Sequence, residues 1–84
     1  MTHEVVLTKE AEMFLEKLDN STRKRVINKL EQLKENPQLG KPLTACLAGS
    51  WSLRIGDYRA IYQIKHNELI VVVIRIGYRR NVYY

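Results

Sequence analysis

The spacing of apolar positions divides the chain into a helical first half and a strand-rich second half. Residues 3–7 read as a strand on Val5, Val6 and Leu7, and the run stops at Thr8, whose hydroxyl can cap a following helix. Ala11, Phe14, Leu15 and Leu18 then recur at i, i+3, i+4 and i+7, the stripe of an amphipathic helix. Asp19, Asn20 and Ser21 supply a break and a second cap, after which Val26, Ile27, Leu30 and Leu33 mark another stripe. This one ends before Asn36-Pro37, because a residue preceding proline avoids the α region. Two helices joined so closely form an antiparallel hairpin.

Residues 40–49 read as a loop, and beyond them the period shortens from about 3.6 to 2. Three strands are predicted near residues 50–55, 58–65 and 68–76. Gly56-Asp57 has the signature of a two-residue hairpin turn, which sets Ile55 opposite Tyr58 and Arg54 opposite Arg59. Trp51, Leu53, Ile55, Tyr58, Ala60 and Tyr62 then share the face toward the core. The last strand has no polar residue from Leu69 to Ile74, the pattern of an interior strand covered on both sides. Its Ile70, Val72, Ile74 and Ile76 are expected to share a face with Arg59. The order β-α-α-β-β-β predicts an α+β fold, a single domain over residues 1–84 in which the helical hairpin packs on an antiparallel-rich sheet.

Composition narrows the function classes. A chain of 84 residues has room for one modest core. Its longest apolar run falls far below the roughly 20 residues that cross a bilayer, and its single cysteine, Cys46, cannot form an internal disulfide. The expectation is a soluble, cytoplasmic protein with no membrane partner. Residues 1–40 hold seven Lys/Arg and seven Asp/Glu, whereas residues 41–84 hold seven Lys/Arg against Asp57 and Glu68 alone. All of the net charge of +5 therefore comes from the second half, which suits an anionic partner, phosphate first among them.

Two features of that half carry candidate chemistry. Like charges directly opposite each other destabilise a strand pair, so Arg54 beside Arg59 suits an anion or acidic group between them, the alternative being two solvent-exposed side chains that splay apart. The terminal stretch Tyr78-Arg79-Arg80-Asn81-Val82-Tyr83-Tyr84 interleaves guanidinium forks with stacking rings, the combination used for single-stranded nucleic acid. Other catalytic sets are poorly supplied. His3 and His66 are the only histidines, Cys46 has none near it in sequence, and the basic half has no clustered carboxylates for zinc or a two-metal nuclease. No cofactor is expected, and catalysis here would be metal-free and led by arginine.

The segment Leu53-Arg54-Ile55-Gly56-Asp57-Tyr58-Arg59-Ala60-Ile61-Tyr62 resembles the L-R-x-G-x-Y-R-x-x-Y hairpin of RelE-type toxins of the RelE/ParE superfamily. Gly77-Tyr78-Arg79-Arg80-Asn81-Val82-Tyr83 resembles their closing G-H-R-x-x-V-Y motif, and the order of elements agrees over essentially the whole chain. The resemblance implies the toxin of a type II toxin–antitoxin pair. Such a toxin is a ribosome-dependent endoribonuclease, an mRNA interferase that cleaves messenger RNA in the ribosomal A site and inhibits translation. It would be neutralised by an acidic, amphipathic RelB-like antitoxin in a heteromeric complex. Carried over by motif, the catalytic positions fall on Arg59, Arg79 and Tyr83, with Arg54, Tyr78 and Arg80 binding RNA. The chain departs from the pattern at Tyr78, where histidine is usual, and at Ser50 and Ser52, where some members have lysine; these positions bear on proton transfer. Two alternatives stay open at this point: a ParE-like inhibitor of DNA gyrase on the same scaffold, and a degenerate scaffold that only binds antitoxin or RNA.

Overall fold

A computed structural model describes residues 2–80. The order is β1 (Glu4–Leu7), α1 (Lys9–Glu16), α2 (Asn20–Glu31), β2 (Lys41–Pro42), β3 (Trp51–Ile55), β4 (Tyr58–Lys65) and β5 (Ile70–Tyr78), with short 3-10 turns at Gln32–Lys34, Pro37–Leu39 and Ala45–Leu47. The strands form one five-stranded sheet in the order β1-β5-β4-β3-β2. β1 pairs parallel to β5, and the other pairs are antiparallel. The predicted α+β class holds, with a mixed sheet.

Both helix starts follow from the capping residues. The Thr8 hydroxyl accepts the Ala11 N–H at 3.3 Å and donates to the Ile74 carbonyl at 2.6 Å, so one side chain caps α1 and ties it to β5. The Asp19 carboxylate accepts the Thr22 N–H at 3.1 Å. Between the helices, the Arg23 guanidinium donates to the carbonyls of Leu15, Glu16 and Leu18, at and just beyond the end of α1.

The core lies between the helices and one face of the sheet. Ala11, Leu15, Val26, Leu30 and Leu33 meet Leu53, Ile55, Ala60, Tyr62, Val71, Val73 and Ile76. At roughly 1.5–3 kcal/mol for each fully buried large apolar side chain, these residues are the main source of stability. Ile27, expected on the α2 stripe, is instead exposed at 37% and borders an open groove with Val5 and Leu7.

Three expectations change. The loop predicted over residues 40–49 contains β2, a two-residue edge strand whose Lys41 pairs with Ser52 and Pro42 with Trp51. Proline is tolerated there because an edge strand has one side that needs no ladder hydrogen bond. The last strand runs two residues further than predicted, to Tyr78. A bulge falls opposite Ile61/Tyr62, where β5 uses three residues, Val73 to Arg75, against two on β4. Beyond it the alternation reverses, so Ile76 pairs with Ala60 and is buried in the core at 3%, and Arg75 pairs with Ile61 on the Arg59 side.

Candidate functional site

The site is built on the sheet face that turns away from the core. Gly56, at φ +59°, provides the first central residue of a two-residue turn, and β3 and β4 leave it in the expected register. Ile55 pairs with Tyr58 and Arg54 with Arg59. In such a hairpin the second pair is the non-hydrogen-bonded kind, in which side chains approach most closely, with Cα atoms about 4.5 Å apart. Arg54 is exposed and Arg59 half-buried. Gly77 of β5 pairs with Arg59 from the other side, so no side chain from that position competes for the space beside the guanidinium.

The same face continues toward β2 and across β4. Arg54, Arg59, Ser52, Lys41 and Lys29 help line a cavity of about 430 Å³, and no carboxylate lines it among the described residues. Beside it, a cavity of about 320 Å³ has apolar walls of Leu47, Ile61 and Ile74, with Gln63 donating to the Ser50 hydroxyl at 3.4 Å. Arg75 borders this second cavity and forms an ion pair with Glu10 of α1 at 2.8 Å. The basic ground and the apolar ground are thus neighbours.

Tyr62 holds the edge of the site in place from below. Its hydroxyl donates to the Pro37 carbonyl at 2.7 Å and accepts the Gly40 N–H at 3.0 Å, while its ring stacks on Trp51. Burial pushes the Tyr62 hydroxyl above the usual tyrosine range, partly offset by the Gly40 N–H. Gly40 lies so close to β3 that an added Cβ would sit 2.4 Å from the Ser52 carbonyl oxygen. These contacts fix the backbone of Gly40 and hence the start of β2.

The residues predicted from sequence fall into two groups. Arg54 and Arg59 share the basic cavity; Tyr78, Arg79 and Arg80 line another, of about 510 Å³, with Asp57 and Tyr58. The Arg79 N–H donates to the Asp57 carbonyl at 3.0 Å, which anchors this segment beside the hairpin turn. Tyr78 pairs with Tyr58, so it belongs to the opposite face of the sheet from Arg59. There Phe14, Tyr58 and Tyr78 form a cluster with ring centroids 5.3 to 6.0 Å apart, although Tyr78 remains 56% exposed. Burial, followed by the neighbouring Tyr78, raises the Tyr58 hydroxyl above its ordinary range. Tyr83 lies outside the described residues. Lys29 and Lys41 escaped the sequence reading, since only the pairing of β2 with β3 reveals that Lys41 stands beside Ser52.

With this geometry established, comparison with known proteins settles the family. The family model for the ParE toxin of type II toxin–antitoxin systems, parDE, matches residues 5–83. The chain belongs to this toxin family, within the RelE/ParE superfamily. It is 40% identical over 50 residues to Toxin RelG of Mycobacterium tuberculosis, a match spanning 60% of this chain and 58% of that protein. In the RelBE2 toxin–antitoxin complex of Mycobacterium tuberculosis, a chain 33% identical superposes with a TM-score of 0.87, covering 94% of this chain and all, 100%, of that one. A chain of the archaeal RelE–RelB complex of Pyrococcus horikoshii shares the fold at 21% identity and a TM-score of 0.77, covering 98% of this chain and 100% of that one. One from the E. coli RelBE complex does so at 23% identity and a TM-score of 0.75, covering 90% and 95%. The RelE-like fold of this toxin is therefore established.

Proposed function

We propose that the toxin is a ribosome-dependent, metal-independent endoribonuclease that cleaves messenger RNA in the A site. The observation that carries this reading is the Arg54–Arg59 pair at the edge of a cavity whose charged lining, among the described residues, is cationic throughout. Two like charges held side by side call for an anion, and a phosphodiester supplies one.

In the proposed reaction the 2′-hydroxyl attacks the adjacent phosphorus, the P–O5′ bond breaks, and the products are a 2′,3′-cyclic phosphate and a 5′-hydroxyl. One proton leaves the 2′-oxygen and one reaches the departing 5′-oxygen. Arg59 and Arg79 stabilise the added negative charge of the transition state, an effect worth about 3–4 kcal/mol per well-placed donor in comparable oxyanion sites. Arg54 positions the phosphate. Tyr83 exchanges a proton as general acid or base. Tyr78 and Arg80, at the open end of the β4–β5 pair, offer a ring and a guanidinium to the strand as it leaves. The ribosome supplies the orientation that so small a site cannot provide alone.

An acidic, amphipathic antitoxin fits the same face, its carboxylates on the arginines and its apolar side chains against Leu47, Ile61 and Ile74. The match to a ParE family model favours gyrase inhibition as a second reading. A translating extract separates the two. Under the nuclease reading, reporter mRNA is cut only when ribosomes are present, and purified gyrase supercoils DNA normally with the toxin added. Intact mRNA together with blocked supercoiling would transfer the function to gyrase.

A further inference from the structure

The cavity beside the arginine pair extends away from them, and its far wall is basic as well. Lys41 and Ser52 are direct cross-strand partners, two residues along β3 from Arg54, so Lys41 lies in the row next to the Arg54–Arg59 pair. Lys29 of α2 closes the cavity from the helical side. Lys41 is exposed and Lys29 half-buried, and neither forms an ion pair among the described residues. Four cations from α2, β2, β3 and β4 thus converge on about 430 Å³, a size within the range of small-ligand sites.

Cations gathered on one cavity favour anions there, and one phosphate between Arg54 and Arg59 leaves the two lysines able to take a second. The backbone that carries Lys41 is also fixed in advance. The Tyr62 hydroxyl holds Pro37 and Gly40, and Gly40 packs directly on the Ser52 carbonyl. A lysine on a pinned edge strand serves as a point charge for a phosphate, whereas the arginine fork suits the centre where geometry matters more.

We propose that Lys29 and Lys41 form a second phosphate subsite, which holds the phosphodiester next to the scissile one on the same RNA strand. This rests on the proposed nuclease reading and extends it by naming two positioning residues and the path of the strand, from the hairpin toward β2 and α2. Neither lysine contributes to the chemical step.

The test is binding of a 2′-O-methyl tetraribonucleotide, which cannot be cleaved, to the isotope-labelled full-length toxin by NMR at several salt concentrations. Each phosphate contact to a single strand contributes about 0.7 to the slope of log K against log salt. Lys41→Gln and Lys29→Gln are each expected to lower that slope by about 0.7, and Lys41→Arg to restore it. Lys24→Gln, on the same helix but outside the cavity, should leave it unchanged. If Arg54→Gln lowers the slope and the two lysine variants do not, the subsite is wrong while the nuclease reading stands. If both lysine variants keep the RNA slope but weaken antitoxin binding, the cavity belongs to antitoxin carboxylates and the proposal falls. If the wild type binds no RNA at all and cleaves none on ribosomes, the nuclease reading and the subsite fail together.

Discussion

Arg54 and Arg59 face each other across the β3–β4 hairpin as a non-hydrogen-bonded pair, the geometry in which facing side chains leave the backbone closest together. Like charges at such positions oppose folding by about 0.2–1 kcal/mol. Arg54→Gln should therefore stabilise the toxin while impairing it. The melting temperature is expected to rise by roughly 1–8 °C for a domain of this size, and the gain should shrink when phosphate is added, because the ion relieves the same repulsion in the wild type. Calorimetry with and without phosphate checks both statements; a lower melting temperature for the variant would contradict them.

Gly40→Ala should be strongly destabilising although the backbone angle there suits alanine. The added methyl would collide with the Ser52 carbonyl oxygen at 2.4 Å and the Ser52 carbonyl carbon at 2.9 Å, both backbone atoms of β3 that cannot swing aside. Separating β2 from β3 is expected to cost roughly 1–3 kcal/mol, the range for overpacked sites. Urea unfolding measures the loss, and an unchanged midpoint would show that β2 is not held as described.

Tyr62→Phe removes a hydroxyl that both donates and accepts, leaving the Pro37 carbonyl and the Gly40 N–H without that partner. A loss of about 1–3 kcal/mol is expected, most of it from groups left unsatisfied. Because the Tyr62 hydroxyl is raised in the folded state, its contribution is complete below the ordinary tyrosine range and disappears as pH climbs through the raised value. The gap in stability between wild type and Tyr62→Phe should accordingly narrow only in strong alkali. A gap that closed near neutrality would contradict the assignment.

Asp19 gives the opposite sign. The Thr22 hydroxyl, then the Thr22 N–H, holds its carboxyl below the ordinary value, so its support for α2 is present above the unfolded value and lost as pH falls through the lower folded one. Asp19→Asn, which keeps a capping oxygen, should match the wild type more closely in acid than at neutral pH. Thermal scans at several pH values between these limits measure the difference, and a gap that widened in acid would contradict the sign.

Much of the candidate site's layout was legible because the signals that set the hairpin register are local. Gly56-Asp57 is a short-range turn signal, and period-2 counting from it sets Arg54 against Arg59 without any knowledge of the rest of the fold. The residues that escaped depend on contacts between distant parts of the chain. The bulge on β5 leaves no mark in an unbroken apolar run, yet it moves Ile76 into the core and Arg75 out of it. A Lys-Pro pair does not read as a strand, so Lys41 becomes visible only once β2 lies against β3. Tyr78 looked like part of the arginine group by sequence proximity, but alternation along β5 places it with Phe14 and Tyr58.

The central claim is tested most directly by primer extension on an mRNA translated in an extract, with end-group analysis of the fragments. The wild type is compared with Arg59→Ala, Arg79→Ala and Tyr83→Phe. Ribosome-dependent cuts within codons that leave 2′,3′-cyclic phosphate ends are expected, with a loss of at least a hundredfold in each arginine variant, in line with removal of one transition-state donor. Full cleavage by Arg59→Ala would contradict the account, as would growth arrest by the wild type with every message intact.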